Sequence, residues 1–66
     1  MQKYKCEKLN ATVCVNVSLF DRAETGNPLT LYDCVIHFGN GVTKKMEIVA
    51  TTPEKAAQYA IEQYCN

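Results

Sequence analysis

Residues 31–54 read LYDCVIHFGNGVTKKMEIVATTPE, and their pattern decides the fold. Along Leu31–Phe38, Tyr32, Cys34, Ile36 and Phe38 take one face, while Leu31, Asp33, Val35 and His37 take the other. A period of two is that of a pleated strand with one face buried. Gly39-Asn40-Gly41 follows, and Asn40-Gly41 suits a tight hairpin because both residues tolerate positive φ. Residues 42–50 alternate again. Val42, Met46, Ile48 and Ala50 share one face; Lys45, Glu47 and Val49 share the other. Thr52 then reads as a helix N-cap and Pro53 as the first helical residue, where its missing N–H costs nothing. Glu54 falls in the first turn, where the helix dipole favours an acid. The stretch is strand, turn, strand, capped helix.

Toward the C-terminus, Ala56, Ala57, Ala60, Ile61 and Tyr64 form one apolar stripe, with Gln58, Glu62 and Gln63 pointing away from it. A helix of about 12 residues does not hold alone in water, so a sheet must stabilise it. Toward the N-terminus, residues 11–20 alternate. Ala11, Val13, Val15, Val17 and Leu19 are expected to face the core. Thr12, Cys14, Asn16, Ser18 and Phe20 are expected to face away. Residues 21–30, with Asp21, Gly26, Asn27 and Pro28, read as the longest loop. Residues 2–8 allow a polar edge strand in which Tyr4 and Cys6 alternate with Lys3, Lys5 and Glu7, with a turn at Leu9-Asn10. Pairing Cys6 with Val13 and Tyr4 with Val15 keeps the core face apolar. Facing Cys6 with Cys14 would put Lys5 on that face, which argues against a Cys6–Cys14 bridge. Short connections then predict an α+β fold: an antiparallel three- or four-stranded β-meander with one C-terminal helix packed on one face. Residues 1–66 are expected to form one domain.

The chain has 66 residues, of which 47% are hydrophobic, a globular composition with a thin core. Seven basic and seven acidic residues cancel, so no general nucleic-acid binding is expected. No run approaches the roughly 18 apolar residues of a membrane span, and no membrane partner is expected. No charged segment followed by an apolar one opens the chain. The expected location is therefore cytoplasmic. Of the four cysteines, Cys6, Cys14, Cys34 and Cys65, none forms a Cys-x-x-Cys pair. Reduced thiols acting as small hydrophobes are expected; two disulfides stapling a secreted domain are the alternative.

Candidate chemistry is sparse. Cys34 and His37 are three residues apart on a strand, hence on opposite faces, and cannot chelate one metal together. Asp21, Glu24 and Asp33 could cluster near the loop, but a layer this small has little room for a carboxylate cleft. Gly39-Asn40-Gly41 leads into a strand rather than a helix, so it is no phosphate loop. Asn10-Ala11-Thr12 and Asn16-Val17-Ser18 match the glycosylation pattern, which carries meaning only after secretion. No catalytic residue, cofactor or metal is expected.

The run from Val35 to Tyr64, with its Phe38-Gly-Asn-Gly-Val turn and its Val49-Ala50-Thr51-Thr52-Pro53-Glu54-Lys55-Ala56-Ala57 junction, resembles small phage and mobile-element proteins. DpnD/PcfM-like proteins are one example, and small phage inhibitors of host defence share the general shape. The resemblance implies an α+β fold and a phage or prophage origin within a bacterial host cell. No family site residue carries over. The expected function is a non-enzymatic protein-binding module, such as an anti-CRISPR-like inhibitor of a host defence complex. The alternatives are a small structural homodimer and the disulfide-stapled secreted domain. The sheet face opposite the helix is the expected partner surface: Phe20, Asp33, Val35, His37, Lys45, Glu47 and Val49. Tyr59, outside the apolar stripe of the helix, is a further candidate.

Overall fold

The alternation of residues 31–38 and the Thr52 cap act where expected. The computed structural model describes residues 2–21, 26 and 28–65, with residue 65 described by its backbone. Among these, β1 (Gln2–Cys6), β2 (Ala11–Val17), β3 (Thr30–Phe38) and β4 (Thr43–Ala50) precede α1 (Pro53–Cys65). The strands form one antiparallel sheet in the order β1-β2-β3-β4, and α1 packs against all four. This is the expected α+β meander, and residues 2–6 do form its first strand.

One face of the sheet carries the core. Val13, Val15, Tyr32, Cys34, Ile36, Ile48 and Ala50 are buried there against Ala56, Ala57 and Ala60 of α1. Three alanines on the helix stripe let its backbone approach the sheet closely, so the branched strand side chains fill the space between the layers. Thr52 caps the helix: its Oγ1 accepts from the Lys55 N–H at 3.1 Å, and its carbonyl accepts from the Ala56 N–H at 3.1 Å. The helix runs back along β4 and brings Tyr64 to Phe38, with ring centroids 4.8 Å apart. Ile61 is only partly buried, at the margin of the core.

Two turns depart from expectation. The β3–β4 connection is a three-residue loop. The Gly41 N–H donates to the Phe38 carbonyl, and only Gly41, at φ 88°, is left-handed there. Asn40 instead turns its Oδ1 onto the Val42 N–H at 3.1 Å. Val42 consequently precedes β4 and is exposed rather than in the core. The β1–β2 turn spans residues 7–10, with Asn10 in the left-handed region at φ 49°. Tyr4 therefore pairs with Val13 and Cys6 with Ala11, a shift of two from the expected register. A shift of two keeps every side chain on its face. Cys6 and Cys14 accordingly lie on opposite faces. The two turns meet: the Gly39 N–H donates to the Asn10 carbonyl, and a Cβ on Gly39 would run into the Asn10 side-chain amide.

β2 ends at Val17, earlier than its alternating sequence predicts. Val17 and Leu19, expected in the core, are 57% and 97% exposed. Ser18, expected to face solvent, is buried. Local hydrogen bonds explain the change. The Asp21 N–H closes a turn on the Ser18 carbonyl, and the Phe20 N–H donates to Ser18 Oγ. Asp21 Oδ1 accepts the Leu31 N–H at 2.8 Å, which ties the turn to the start of β3. Short polar side chains that satisfy nearby backbone groups compete with strand continuation in this way. Residues 22–25 and 27 of the expected 21–30 loop lie outside the described residues, and Thr30 already belongs to β3.

Candidate binding face

Because α1 covers one side, the other side of the sheet has no layer on it among the described residues. The strand registers set its side chains in rows. The first row is Leu31 and Val49. Asn16, Asp33 and Glu47 form the next. Lys3, Cys14, Val35 and Lys45 form the third, and Lys5, Thr12, His37 and Thr43 the last. Asp33, Val35 and Cys14 are half-buried, while His37, Lys45, Glu47 and Val49 are exposed. A shallow groove of about 440 Å³ crosses the middle rows, lined by residues that include Asn16, Asp33, Val35, Lys45 and Glu47.

Of the expected surface residues, Asp33, Val35, His37, Lys45, Glu47 and Val49 share this face. Phe20 does not lie on a strand. It occupies the turn after β2 and is 78% exposed. Tyr59 is on α1, on the far side of the sheet, so it belongs to a different surface. Beside Phe20, the same end of the sheet carries exposed Val17, Leu19, Leu29 and Val49. Sequence alternation hid two of these by assigning Val17 and Leu19 to the core. The polar turn residues Ser18 and Asp21 were the available signal.

Cys34 belongs to the core side, and burial, with a smaller push from the Asp33 carboxylate, raises its thiol to about 11. A thiol held protonated at neutral pH is a poor nucleophile. Cys6, Cys14 and Cys34 are free thiols; the Cys65 side chain lies outside the description. No group of three or more His, Cys, Asp or Glu among the described residues is placed to hold a metal ion. Every buried side-chain polar atom among them has a partner. Among the described residues, no helix is long and apolar enough to cross a membrane. No protein-family model, curated protein or solved structure matches the chain.

Proposed function

We propose that this chain is a non-enzymatic protein-binding module that docks through its open sheet face and the apolar end beside it. The observation that carries this reading is the group of exposed apolar residues at one end of the sheet, Leu19, Phe20, Leu29 and Val49, next to polar rows of both charges. Apolar surface rimmed by polar groups is a common mark of a protein interface, and aromatic anchors usually carry much of the binding energy. A protein partner fits better than nucleic acid, because Asp33 and Glu47 stand side by side in the groove and the net charge is zero. The complementary partner surface has an apolar pocket for Phe20 and a cationic side chain for the Asp33–Glu47 row.

The finer reading is that the partner is a component of a bacterial host defence complex, such as a CRISPR effector. The chain would act on it in the cytoplasm as a phage- or prophage-encoded inhibitor. Its support is the resemblance of residues 35–64 to small phage proteins. The test is phage plating on a defended bacterial strain that expresses the chain. The reading expects the wild-type chain to restore plaques, and Phe20→Ala and Val35→Asp to lose that effect while keeping the wild-type circular dichroism spectrum. Plaques equally suppressed with and without the chain, across strains carrying different defence systems, would refute the inhibitor role.

A further inference from the structure

We propose that two copies of this chain pair antiparallel through the free edge of β4, with the two-fold axis passing beside Met46. Among the described residues, β4 hydrogen-bonds to β3 on one side and to no strand on the other. The Phe38 N–H donates to the Val42 carbonyl at 2.9 Å. Bonded pairs recur at every second residue of an antiparallel ladder. The registers Ile36 with Lys44, Cys34 with Met46 and Tyr32 with Ile48 continue that phase. Even-numbered residues of β4 therefore direct their backbone groups to β3. Thr43, Lys45, Glu47 and Val49 direct theirs outward. The β2 side of β3 agrees: the Ser18 N–H bonds to the Leu31 carbonyl and the Gly39 N–H to the Asn10 carbonyl, which assigns the odd residues of β3 to β2.

A second copy must offer outward groups too, so odd residues meet odd residues across the axis. The axis position then decides the charges. At Lys45 it sets two lysines opposite each other; at Glu47 it sets two glutamates opposite. At Lys44 it places Lys45 against Thr43, and at Ile48 it places Glu47 against Val49. Only at Met46 does Lys45 face the partner's Glu47 and Glu47 face the partner's Lys45. That register also forms up to about eight main-chain hydrogen bonds. It answers a local conflict as well. Asp33 stands directly opposite Glu47, and like charges so placed are destabilising. A lysine on the outer side of Glu47 offsets this.

Lysines commonly guard an edge against pairing. β1 shows that arrangement: its outward residues Lys3 and Lys5 have no acid between them, so two β1 edges repel. β4 differs because Glu47 follows Lys45 on the same face. One edge is closed to self-pairing and the other is complementary to itself, which gives a closed dimer.

The test is sedimentation velocity on the full chain. The expected mass is about twice the 7.4 kDa monomer, with a dimer fraction that rises with concentration and falls with salt. Glu47→Lys alone and Lys45→Glu alone should each give monomer with an unchanged circular dichroism spectrum. Mixing these two variants should restore dimer, as should combining both changes in one chain. A monomer at all concentrations, a dimer indifferent to charge reversal, or a ladder of species growing beyond the dimer would each overturn the proposal. Partner docking stands or falls separately: Phe20 lies in the turn after β2 and not on β4, so Phe20→Ala should leave the dimer intact.

Discussion

Ile36→Ala and Leu19→Ala should separate by several kcal/mol, although both residues occupy alternating apolar positions in the sequence. Ile36 is 0% exposed, at the centre of the sheet under α1. The substitution removes three carbons, at about 0.8 kcal/mol for each buried CH₂, or about 2.4 kcal/mol of transfer free energy. The cavity left between the layers raises the expected loss to about 3–4 kcal/mol. A chain of this length has a total stability of roughly 3–10 kcal/mol, so the variant should be near the edge of folding. Leu19 is 97% exposed beyond the end of β2, and its truncation should change stability by no more than about 0.5 kcal/mol. Urea titration followed by circular dichroism measures both, with Glu47→Lys as the common background so that self-association does not enter. Equal losses for the two variants would refute the assignment of the β2 end. A neutral Ile36→Ala would refute the helix-on-sheet core.

Ile61→Ala should cost less than Ile36→Ala, about 1–2 kcal/mol, because Ile61 lies at the margin of the core; an equal urea midpoint shift would contradict this. Thr52→Ala should lower stability by about 1 kcal/mol through loss of the bond from the Lys55 N–H, while Thr52→Asp should retain most of it. Cys34 makes stability depend on alkaline pH. Its thiol is raised from 9.0 to about 11 in the folded chain. The unfolded chain therefore loses the proton first. The Cys34 contribution is fully present below pH 9 and is lost as pH climbs through 9 to 11. The accumulated loss is on the order of 2–3 kcal/mol. A stability profile of Cys34→Ala that declines as steeply as wild type over that range would contradict the assignment. With iodoacetamide near neutral pH, Cys34 should also label more slowly than Cys14, as judged by mass spectrometry of peptides.

The meander and its helix were legible because each local signal agreed with the others. The period of two in residues 31–38 and the Thr52-Pro53-Glu54 cap act as their chemistry predicts. Two of the failures share a cause: side chains that accept nearby backbone N–H groups. Ser18 and Asp21 end β2 by accepting N–H groups, so Val17 and Leu19 leave the core despite their alternation. Asn40 accepts the Val42 N–H and produces a three-residue loop. Asn10 absorbs a left-handed φ and moves the β1 register by two. The open sheet face was legible as a row pattern, since strand alternation alone assigns its members. The exposed apolar end was not, because it arises where the alternation stops mattering. Tyr59 was expected on the helix, outside its apolar stripe, and it lies on α1.

The most direct test of the proposed docking role of the open face is site-specific photocrosslinking in bacterial cells. Benzoylphenylalanine is placed in turn at Phe20, Val35 and Val49, and at Gln58 on the outer side of α1, with folding checked for each chain. After irradiation, the account predicts one shared protein adduct, larger than a cross-linked dimer, from the first three positions and none from Gln58. Adducts from Gln58 alone, or the same adducts at equal yield from all four positions, would contradict it.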